Sequence, residues 1–223
     1  MAVATPTEPM HSRPLLESEA APGPFAQFAK WYADAAGVVR APEAVALATS
    51  SGDCRPSARM VLMKGWDEAG FVFYTNYDSR KGRDLEVNPH AALLFHWDPL
   101  GRQVRIEGSV SRVAEGESDR YFASRPFGAR IGAWASHQSE PVASRQVLDE
   151  RVRELTALHG GAAGRGGAGG GGGGQVPRPE WWGGYRLLPD VFEFWQNRDD
   201  RLHDRLRYSR AGGSGWLLDR LQP

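Results

Sequence analysis

This chain of 223 residues has one cysteine, no formal net charge and no long apolar run. The single Cys54 excludes an internal disulfide framework and a cysteine-based zinc site. The formal net charge is zero, so no global charge favours nucleic acid or a membrane surface as a partner. No run approaches the roughly 18 apolar residues of a membrane span, and the first residues contain no apolar core of signal-peptide length. The expectation is a soluble, cytoplasmic protein.

Several catalytic motifs are missing as well. The chain contains no Gly-x-Ser-x-Gly elbow, no Walker loop, no Gly-x-Gly-x-x-Gly after a strand and no metal-ligand spacing. In residues 160–174, 11 of the 15 residues are Gly, but this segment lacks the Lys-Ser/Thr pair and the preceding strand of a phosphate loop. We therefore expect a disordered insertion there, and no metal in the protein.

What is present is a series of short β-type runs with helical segments between them. Strands are predicted at residues 44–50, 57–64, 71–76, 91–97, 102–113, 181–187, 191–195, 205–210 and 216–221. Helices are predicted at residues 24–36, 79–87, 115–124 and 144–159, and the apolar patch 131–135 has no assigned type. This order predicts a mainly β, α+β domain: an antiparallel β-barrel with peripheral helices over residues 23–223. Residues 1–22, rich in Pro, Glu and Ala, are predicted to be mobile.

Lysine is rare, with three residues among the 27 Lys and Arg, and two of them lie close together. Lys64 ends one predicted strand, and Lys81 follows Ser79 at a predicted helix start. Ser79 is a suitable N-cap, while Arg80 and Lys81 occupy the first turn, where the helix dipole disfavours cations. A bound phosphate would explain cations beside free backbone N–H groups. The alternative is a solvated charged face.

Two further groups of residues suggest anion binding. If residues 201–205 are extended, Arg201, His203 and Arg205 alternate onto one face, which favours a bound acid between them. The alternative is a solvated face balanced by neighbouring Asp residues. Tyr121 and Arg125 are four residues apart on a helix, which suits a ring or a phosphate, although a structural contact is the simpler alternative. Gln138-Ser139 adds polar groups for the edge of a heterocycle.

Taken together and in this order, these motifs resemble the pyridoxamine 5′-phosphate oxidase family. The matching pieces include Arg59-Met-Val-Leu-Met-Lys64, Ser79-Arg-Lys81, Tyr121-Phe-x-Ser-Arg-Pro126, Gln138-Ser139, Trp182-Gly-Gly-Tyr-Arg186 and Arg201-Leu-His-Asp-Arg205. The resemblance covers roughly residues 25–223. It implies a split β-barrel homodimer with FMN bound at the subunit interface.

The resemblance also implies roles for individual residues. The FMN contacts would be Arg59, Met60, Val61, Leu62, Met63, Lys64, Tyr74, Thr75, Arg80, Lys81, Gln103, Gln138, Ser139, Trp195 and Arg205. The substrate contacts would be Lys64, Tyr121, Arg125, Arg201 and His203. Arg201 and His203 would have the catalytic role of placing the reacting carbon over the flavin. Lys64, Tyr121 and Arg125 would hold the substrate phosphate.

The reaction implied is FMN-dependent oxidation of pyridoxine or pyridoxamine 5′-phosphate to pyridoxal 5′-phosphate. O₂ would accept the electrons and give H₂O₂, and the amine would also release ammonia. Two departures bear on the substrate: Ala129 stands where the family usually has Ser, and residues 13–19 match poorly. A lost hydroxyl donor would weaken binding by ~1 kcal/mol. The alternatives are a related flavin oxidase of another ring substrate, such as a phenazine precursor, and a non-catalytic binder of FMN or pyridoxal phosphate.

Overall fold

The computed structural model describes residues 14–160, 176–212 and 215–223. Within these ranges the strands are β1 (Ala44–Ser50), β2 (Pro56–Asp67), β3 (Gly70–Asn76), β4 (His90–Trp97), β5 (Arg102–Arg112), β6 (Trp182–Gln196), β7 (Asp204–Arg210) and β8 (Trp216–Leu221). The helices are α1 (Pro24–Ala36), α2 (Arg80–Val87), α3 (Glu115–Ser124), α4 (Phe127–Ala135) and α5 (Arg145–Gly160). Short 3₁₀ turns lie at Glu17–Glu19, Asp98–Leu100 and Asp199–Arg201.

Strands β1 to β6 form an antiparallel barrel, and β7 and β8 extend the sheet beyond it. The strand order is β3-β2-β1-β4-β5-β6-β7-β8, and pairing of β3 with β6 closes the barrel. Strand β6 serves both parts because its first residues pair with β3 and its last residues pair with β7. The register on β5 shifts between Glu107 and Gly108. A side chain at Gly108 would lie 2.0 Å from the Leu188 carbonyl oxygen, so only glycine fits at this crossing.

The barrel interior is filled by aromatic and aliphatic side chains. Helix α1 begins at Pro24, and its apolar face closes one part of the barrel with Phe28 and Trp31, which are almost fully buried. The ring of Phe28 contacts those of Phe71 and Phe95 at centroid distances of 4.9 and 5.2 Å. Truncating a buried Phe of this kind to Ala typically costs ~3–5 kcal/mol. Because the interior is filled, a ligand must bind outside the barrel wall.

A smaller apolar cluster packs α3 and α4 against β6. Phe122, Ile131 and Trp182 are buried in it. Arg125 adopts an extended conformation before Pro126, as a residue before proline prefers, so α3 ends and α4 begins at that point. The patch that had no assigned type from sequence is therefore the second half of a helix. This cluster fixes the end of α3 beside the outer surface of β3.

The predicted α+β split barrel is confirmed, and its elements differ from the sequence predictions in detail. Strand β2 continues to Asp67, so the turn before β3 is shorter than expected, and the two predicted runs at 181–187 and 191–195 are one strand. Residues 14–22, predicted to be part of a mobile segment, lie against the domain: Leu15 is buried, and Tyr208 donates to the Ala21 carbonyl. Gly160, predicted to begin the disordered insertion, is instead the last residue of α5. Residues 1–13 and 161–174, the remainder of the segments predicted to be mobile or disordered, lie outside the described residues.

No helix in the described ranges is both long enough and apolar enough to cross a membrane.

Candidate active site

A cavity of about 960 Å³ lies between the outer surface of β2 and β3, the start of α2, and helices α3 and α4. The predicted site residues that line it are Arg59, Met60, Val61, Leu62, Lys64, Tyr74, Thr75, Arg80, Lys81, Tyr121, Arg125, Gln138 and Ser139. Met63 does not, because its side chain is buried in the barrel core. One continuous surface therefore brings together residues that are up to 80 positions apart in sequence.

Lys81 is the buried cation of this cavity. Ser79 caps α2 by accepting a hydrogen bond from the Gly82 N–H, as predicted. The Lys81 ammonium donates to Thr75 Oγ1 and Ser79 Oγ, each at 3.0 Å, and to Gln138 Oε1 at 2.7 Å. Burial, with a smaller contribution from Arg59, lowers the pKa of Lys81 to about 8. All three acceptors are neutral oxygens, so the charge of Lys81 is available to an anionic ligand.

Arg59 is held in place by a polar network on β1, β2 and α2. Its guanidinium donates to Thr49 Oγ1 at 2.7 Å and to the Leu47 carbonyl at 3.2 Å. The buried Asp84 carboxylate accepts from Thr49 at 2.6 Å and lies 3.8 Å from Arg59. Burial lowers the pKa of Arg59, while Asp84 opposes that shift. Asp84 therefore orients Arg59 at the cavity wall, a role that its position in the sequence did not reveal.

Arg125 lies against a stack of aromatic rings on the opposite wall. Tyr74 and Tyr121 stack at a centroid distance of 3.9 Å, and Tyr74 stacks on Trp182 at 5.6 Å. The Arg125 guanidinium lies 4.6 Å from the Trp182 ring centroid. Its Nη1 is buried without a hydrogen-bond partner in the part of the chain described, and burial lowers its pKa. An unsatisfied buried donor costs about 1–3 kcal/mol, which an anion would relieve.

Tyr74 and Trp182 define the chemistry of this wall. Burial, and next the charge of Glu117, raises the pKa of Tyr74 to about 12, so its hydroxyl is neutral at physiological pH. Trp182 lines the cavity and supports Arg125, but no site role was predicted for it. The only signal in the sequence was its place beside two glycines. At the first of them, Gly183, a side chain would meet the Tyr77 hydroxyl at 2.1 Å.

A second, smaller cavity of about 330 Å³ contains three more of the predicted FMN contacts. Gln103, Trp195 and Arg205 are direct neighbours on β5, β6 and β7. The buried Glu193 accepts from Arg205 Nε at 2.8 Å and from Arg105 Nη2 at 2.6 Å. Hydrogen bonding to Glu193 raises the pKa of Arg205. This cavity shares no lining residue with the first, so the predicted cofactor contacts of one chain fall into two separate sets.

Arg201 and His203 lie beside the second set, on the turn before β7. The extended conformation on which a shared face of Arg201, His203 and Arg205 depended is not present in the first half of residues 201–205, because Arg201 ends a 3₁₀ turn and β7 begins at Asp204. The His203 ring lies 4.5 Å from the Trp195 ring, between centroids. Its Nδ1 accepts from the Arg198 backbone N–H at 3.2 Å. The neutral imidazole therefore carries its proton on Nε2.

Comparison with known protein families matches two segments of the chain. A family model described as pyridoxamine 5′-phosphate oxidase matches residues 33–159, and one described as the pyridoxine 5′-phosphate oxidase C-terminal dimerisation region matches residues 182–223. A pyridoxine/pyridoxamine 5′-phosphate oxidase of Bordetella petrii is 56% identical over 210 residues, covering 94% of this chain and 93% of the relative. One of Paraburkholderia phymatum is 53% identical over 207 residues, covering 92% of each.

Two solved structures are similar to this chain over most of its length. PhzG from Burkholderia lata, in complex with tetrahydrophenazine-1-carboxylic acid, has a TM-score of 0.83 at 35% identity and covers 96% of this chain and 100% of its own. A pyridoxamine 5′-phosphate oxidase-related, FMN-binding protein from Nostoc punctiforme has a TM-score of 0.68 at 13% identity, covering 91% and 100%. The second likeness shows the fold alone.

Proposed function

The chain belongs to the pyridoxamine 5′-phosphate oxidase family, and on this premise we propose that it oxidises pyridoxine or pyridoxamine 5′-phosphate to pyridoxal 5′-phosphate. The alcohol and O₂ would give the aldehyde and H₂O₂. The amine, O₂ and water would give the aldehyde, ammonia and H₂O₂. The observation that carries the proposal is the presence of two cationic groups on one cavity, around Lys81 and around Arg125. Two groups suit two phosphates, one of a flavin and one of a substrate.

The first group fits the phosphate of FMN. Lys81 is a buried ammonium whose acceptors are all neutral, and Arg59 and Arg80 line the same surface. Lys81 is in the first turn of α2, where backbone N–H groups and the helix dipole favour an anion. When bound, FMN would supply the hydride acceptor and pass the electrons to O₂. The residues of the chain would bind it, orient it and exclude water.

The second group fits the phosphate of the substrate. Arg125 has a buried, unpartnered Nη1, and Tyr121 and Lys64 line the cavity with it. Tyr121 is neutral because burial raises its pKa, so its hydroxyl is able to donate to a phosphate oxygen. The cation–π contact with Trp182 fixes the guanidinium plane. A phosphorylated ring would thus be anchored beside the flavin.

A homodimer would unite the two sets of cofactor contacts. Strands β2, β1 and β4 expose an apolar outer face, on which Met60 and Leu94 both pair with Ala46. Met60 lines the first cavity and Leu94 lines the second, so this face connects the two. Residues 182–223 match a dimerisation region. Pairing of this face with a second copy would bring Gln103, Trp195 and Arg205 of one chain to the first cavity of the other.

In that dimer Arg201 and His203 would accompany Trp195 to the partner's cavity. His203 would present Nε2–H as a hydrogen-bond donor, because its Nδ1 is occupied by the Arg198 N–H. Arg201 would supply a permanent positive charge. Together they would hold the reacting carbon against the flavin ring, which is a gain by orientation rather than by proton abstraction. Hydride transfer of this kind would require no general base.

A second candidate is the oxidation of a reduced ring that bears a carboxylate, favoured by the likeness to PhzG and by Ala129 on the cavity wall. The two candidates differ in the anion that Arg125 would meet. The test is to reconstitute the protein with FMN and compare initial rates with pyridoxine 5′-phosphate, pyridoxine and a dihydrophenazine carboxylate in air. We expect turnover to require the phosphate. Faster oxidation of the dihydrophenazine ring would select the second candidate, and absence of flavin binding would exclude both.

A further inference from the structure

The turn that carries Arg201 is strained. Asp200 and Arg201 have φ values of 56° and 60°, so two consecutive residues with side chains occupy the left-handed region. Such residues are rare, and they persist only where surrounding contacts over-determine the backbone. The contacts that hold this turn are therefore candidates for a role in placing Arg201 and His203.

The Asp204 carboxylate, at the end of this turn, contacts donor groups from three parts of the chain. Its Oδ1 accepts from Arg220 Nη1 at 2.7 Å, and its Oδ2 accepts from the Leu15 backbone N–H at 3.1 Å. Arg198 Nε lies 3.6 Å from Oδ2. The side chain of Asp204 is only 16% exposed. Arg198 begins the turn and Asp204 ends it, so the carboxylate ties both ends of the turn to β8 and to the N-terminal segment.

Arg220 is itself fixed by the N-terminal segment. Its Nε and Nη2 donate to the two carboxylate oxygens of Glu17 at 2.6 and 2.7 Å, and Nη2 also donates to the Leu15 carbonyl at 2.7 Å. Hydrogen bonding to Arg220 lowers the pKa of Glu17 to about 2, so the pair is ionised at neutral pH. A bidentate Arg–carboxylate pair adds geometric specificity that a single contact lacks. Glu17, Arg220 and Asp204 thus form a continuous chain of contacts.

We propose that Asp204 is a positioning residue for the oxidation: held by Arg220, which Glu17 orients, it fixes the turn that presents Arg201 and the Nε2–H of His203. This inference rests on the proposed function for its kinetic consequence. Its structural half, the fixed tautomer and orientation of His203, does not depend on any substrate. Asp204 itself would touch neither substrate nor cofactor.

The test uses two variants and a matched control. Asp204→Asn removes the charge at the hub, and Glu17→Gln removes the exposed end of the contact chain and tests the idea even if the first variant folds poorly. Asp219→Asn removes the acceptor of Arg207, 2.9 Å away in another ion pair between β7 and β8. We expect Asp204→Asn to lower kcat by about tenfold or more, because misplacement of an orienting group is costly, and Glu17→Gln to lower it by roughly three- to fivefold. In both variants the FMN dissociation constant should change by less than about twofold. In the control Asp219→Asn, kcat should also change by less than about twofold.

The readout that separates positioning from activity is the nitrogen spectrum of ¹⁵N-His-labelled protein, with His203 assigned by a His203→Gln variant. The wild-type and Asp219→Asn proteins should show an unprotonated Nδ1 and a protonated Nε2, and Asp204→Asn should show a mixture of tautomers. If the wild-type protein has no oxidase activity but the tautomer shift occurs, the proposed function fails and the positioning role stands. An unchanged His203 spectrum in folded Asp204→Asn, or a kcat equal to that of the control, overturns the inference.

Discussion

The ammonium of Lys81 donates to Gln138 Oε1 across 2.7 Å, joining the first turn of α2 to the segment after α4. These residues are 57 positions apart, and both line the large cavity. Gln138 is exposed while Lys81 is 6% exposed, so the amide lies at the opening of the site and the cation lies beneath it. An entering phosphate would meet the amide first and would then replace it as the acceptor of Lys81.

The lowered pKa of Lys81 predicts a pH dependence of FMN binding. Below about pH 8 the Lys81 amine is protonated, and its charge is available to an anion. Above about pH 8 Lys81 of the apo-protein is neutral, so FMN binding must be coupled to the uptake of a proton. We expect the FMN dissociation constant to be nearly flat from pH 6.5 to 7.5 and to rise by up to about tenfold per pH unit above pH 8. Quenching of flavin fluorescence measures it. Lys81→Arg, which stays protonated, should flatten the profile, whereas a flat wild-type profile to pH 9.5 would refute the role of Lys81.

Gln138→Glu should weaken FMN binding while leaving the fold intact. The new carboxylate would pair with Lys81, raise its pKa and compete with the phosphate. We expect at least about a tenfold rise in the dissociation constant, equivalent to ~1.4 kcal/mol, together with a more stable apo-protein. Gln138→Met is the control of similar size, and it should weaken binding less. Fluorescence titration measures FMN binding, and thermal unfolding measures the stability of the apo-protein. Equal effects of the two variants on both would show that charge at Lys81 is not what binds the flavin.

Ala129→Ser should tighten the binding of a phosphorylated substrate. Ala129 lines the cavity on α4, one turn after Pro126, where a hydroxyl would add a donor beside Arg125. One hydrogen bond is worth ~1 kcal/mol, so KM for pyridoxine 5′-phosphate should fall by about fivefold with little change in kcat. Ala123→Ser is the control: it places a hydroxyl on the exposed surface of α3, outside the cavity lining, where no effect is expected. A fall in KM in both variants, or in neither, would contradict the assignment of the phosphate to this wall.

Arg201→Ala should reduce turnover far more than it releases FMN. In the proposed dimer its guanidinium acts on the substrate, so we expect kcat to fall by about a hundredfold and the FMN dissociation constant to change by less than about threefold. Arg205→Ala is the matched comparison, since Arg205 lines the second cavity and should release FMN. Parallel steady-state kinetics and flavin titration decide. Equal losses of turnover and flavin in Arg201→Ala would place that residue in the cofactor site instead.

The parts of this molecule that follow local rules were predictable from sequence. Phe71, Val72 and Phe73 mark a buried strand, and Ser79 caps the helix that presents Lys81. What escaped prediction depends on distant partners. Leu15 is buried in the core, and its N–H donates to Asp204, 189 residues later, so its packing has no local signal.

Two further omissions have the same physical origin. Trp182 becomes a site residue only because the end of α3 places Arg125 over its ring. Arg201 departs from the extended pattern because surrounding contacts hold a left-handed backbone that the residue type alone disfavours. The division of the predicted cofactor contacts into two cavities also depends on the strand order, which no single motif contains.

The most direct test of the central claim is the stoichiometry of oxidation by the FMN-reconstituted protein. Pyridoxine 5′-phosphate is added in air, the aldehyde is followed by its absorbance, and peroxide is measured in a coupled assay. We expect a flavin spectrum in the purified protein, equal amounts of pyridoxal 5′-phosphate and H₂O₂, and no turnover after FMN is removed. A protein that binds FMN stoichiometrically yet forms neither product from pyridoxine or pyridoxamine 5′-phosphate would contradict it.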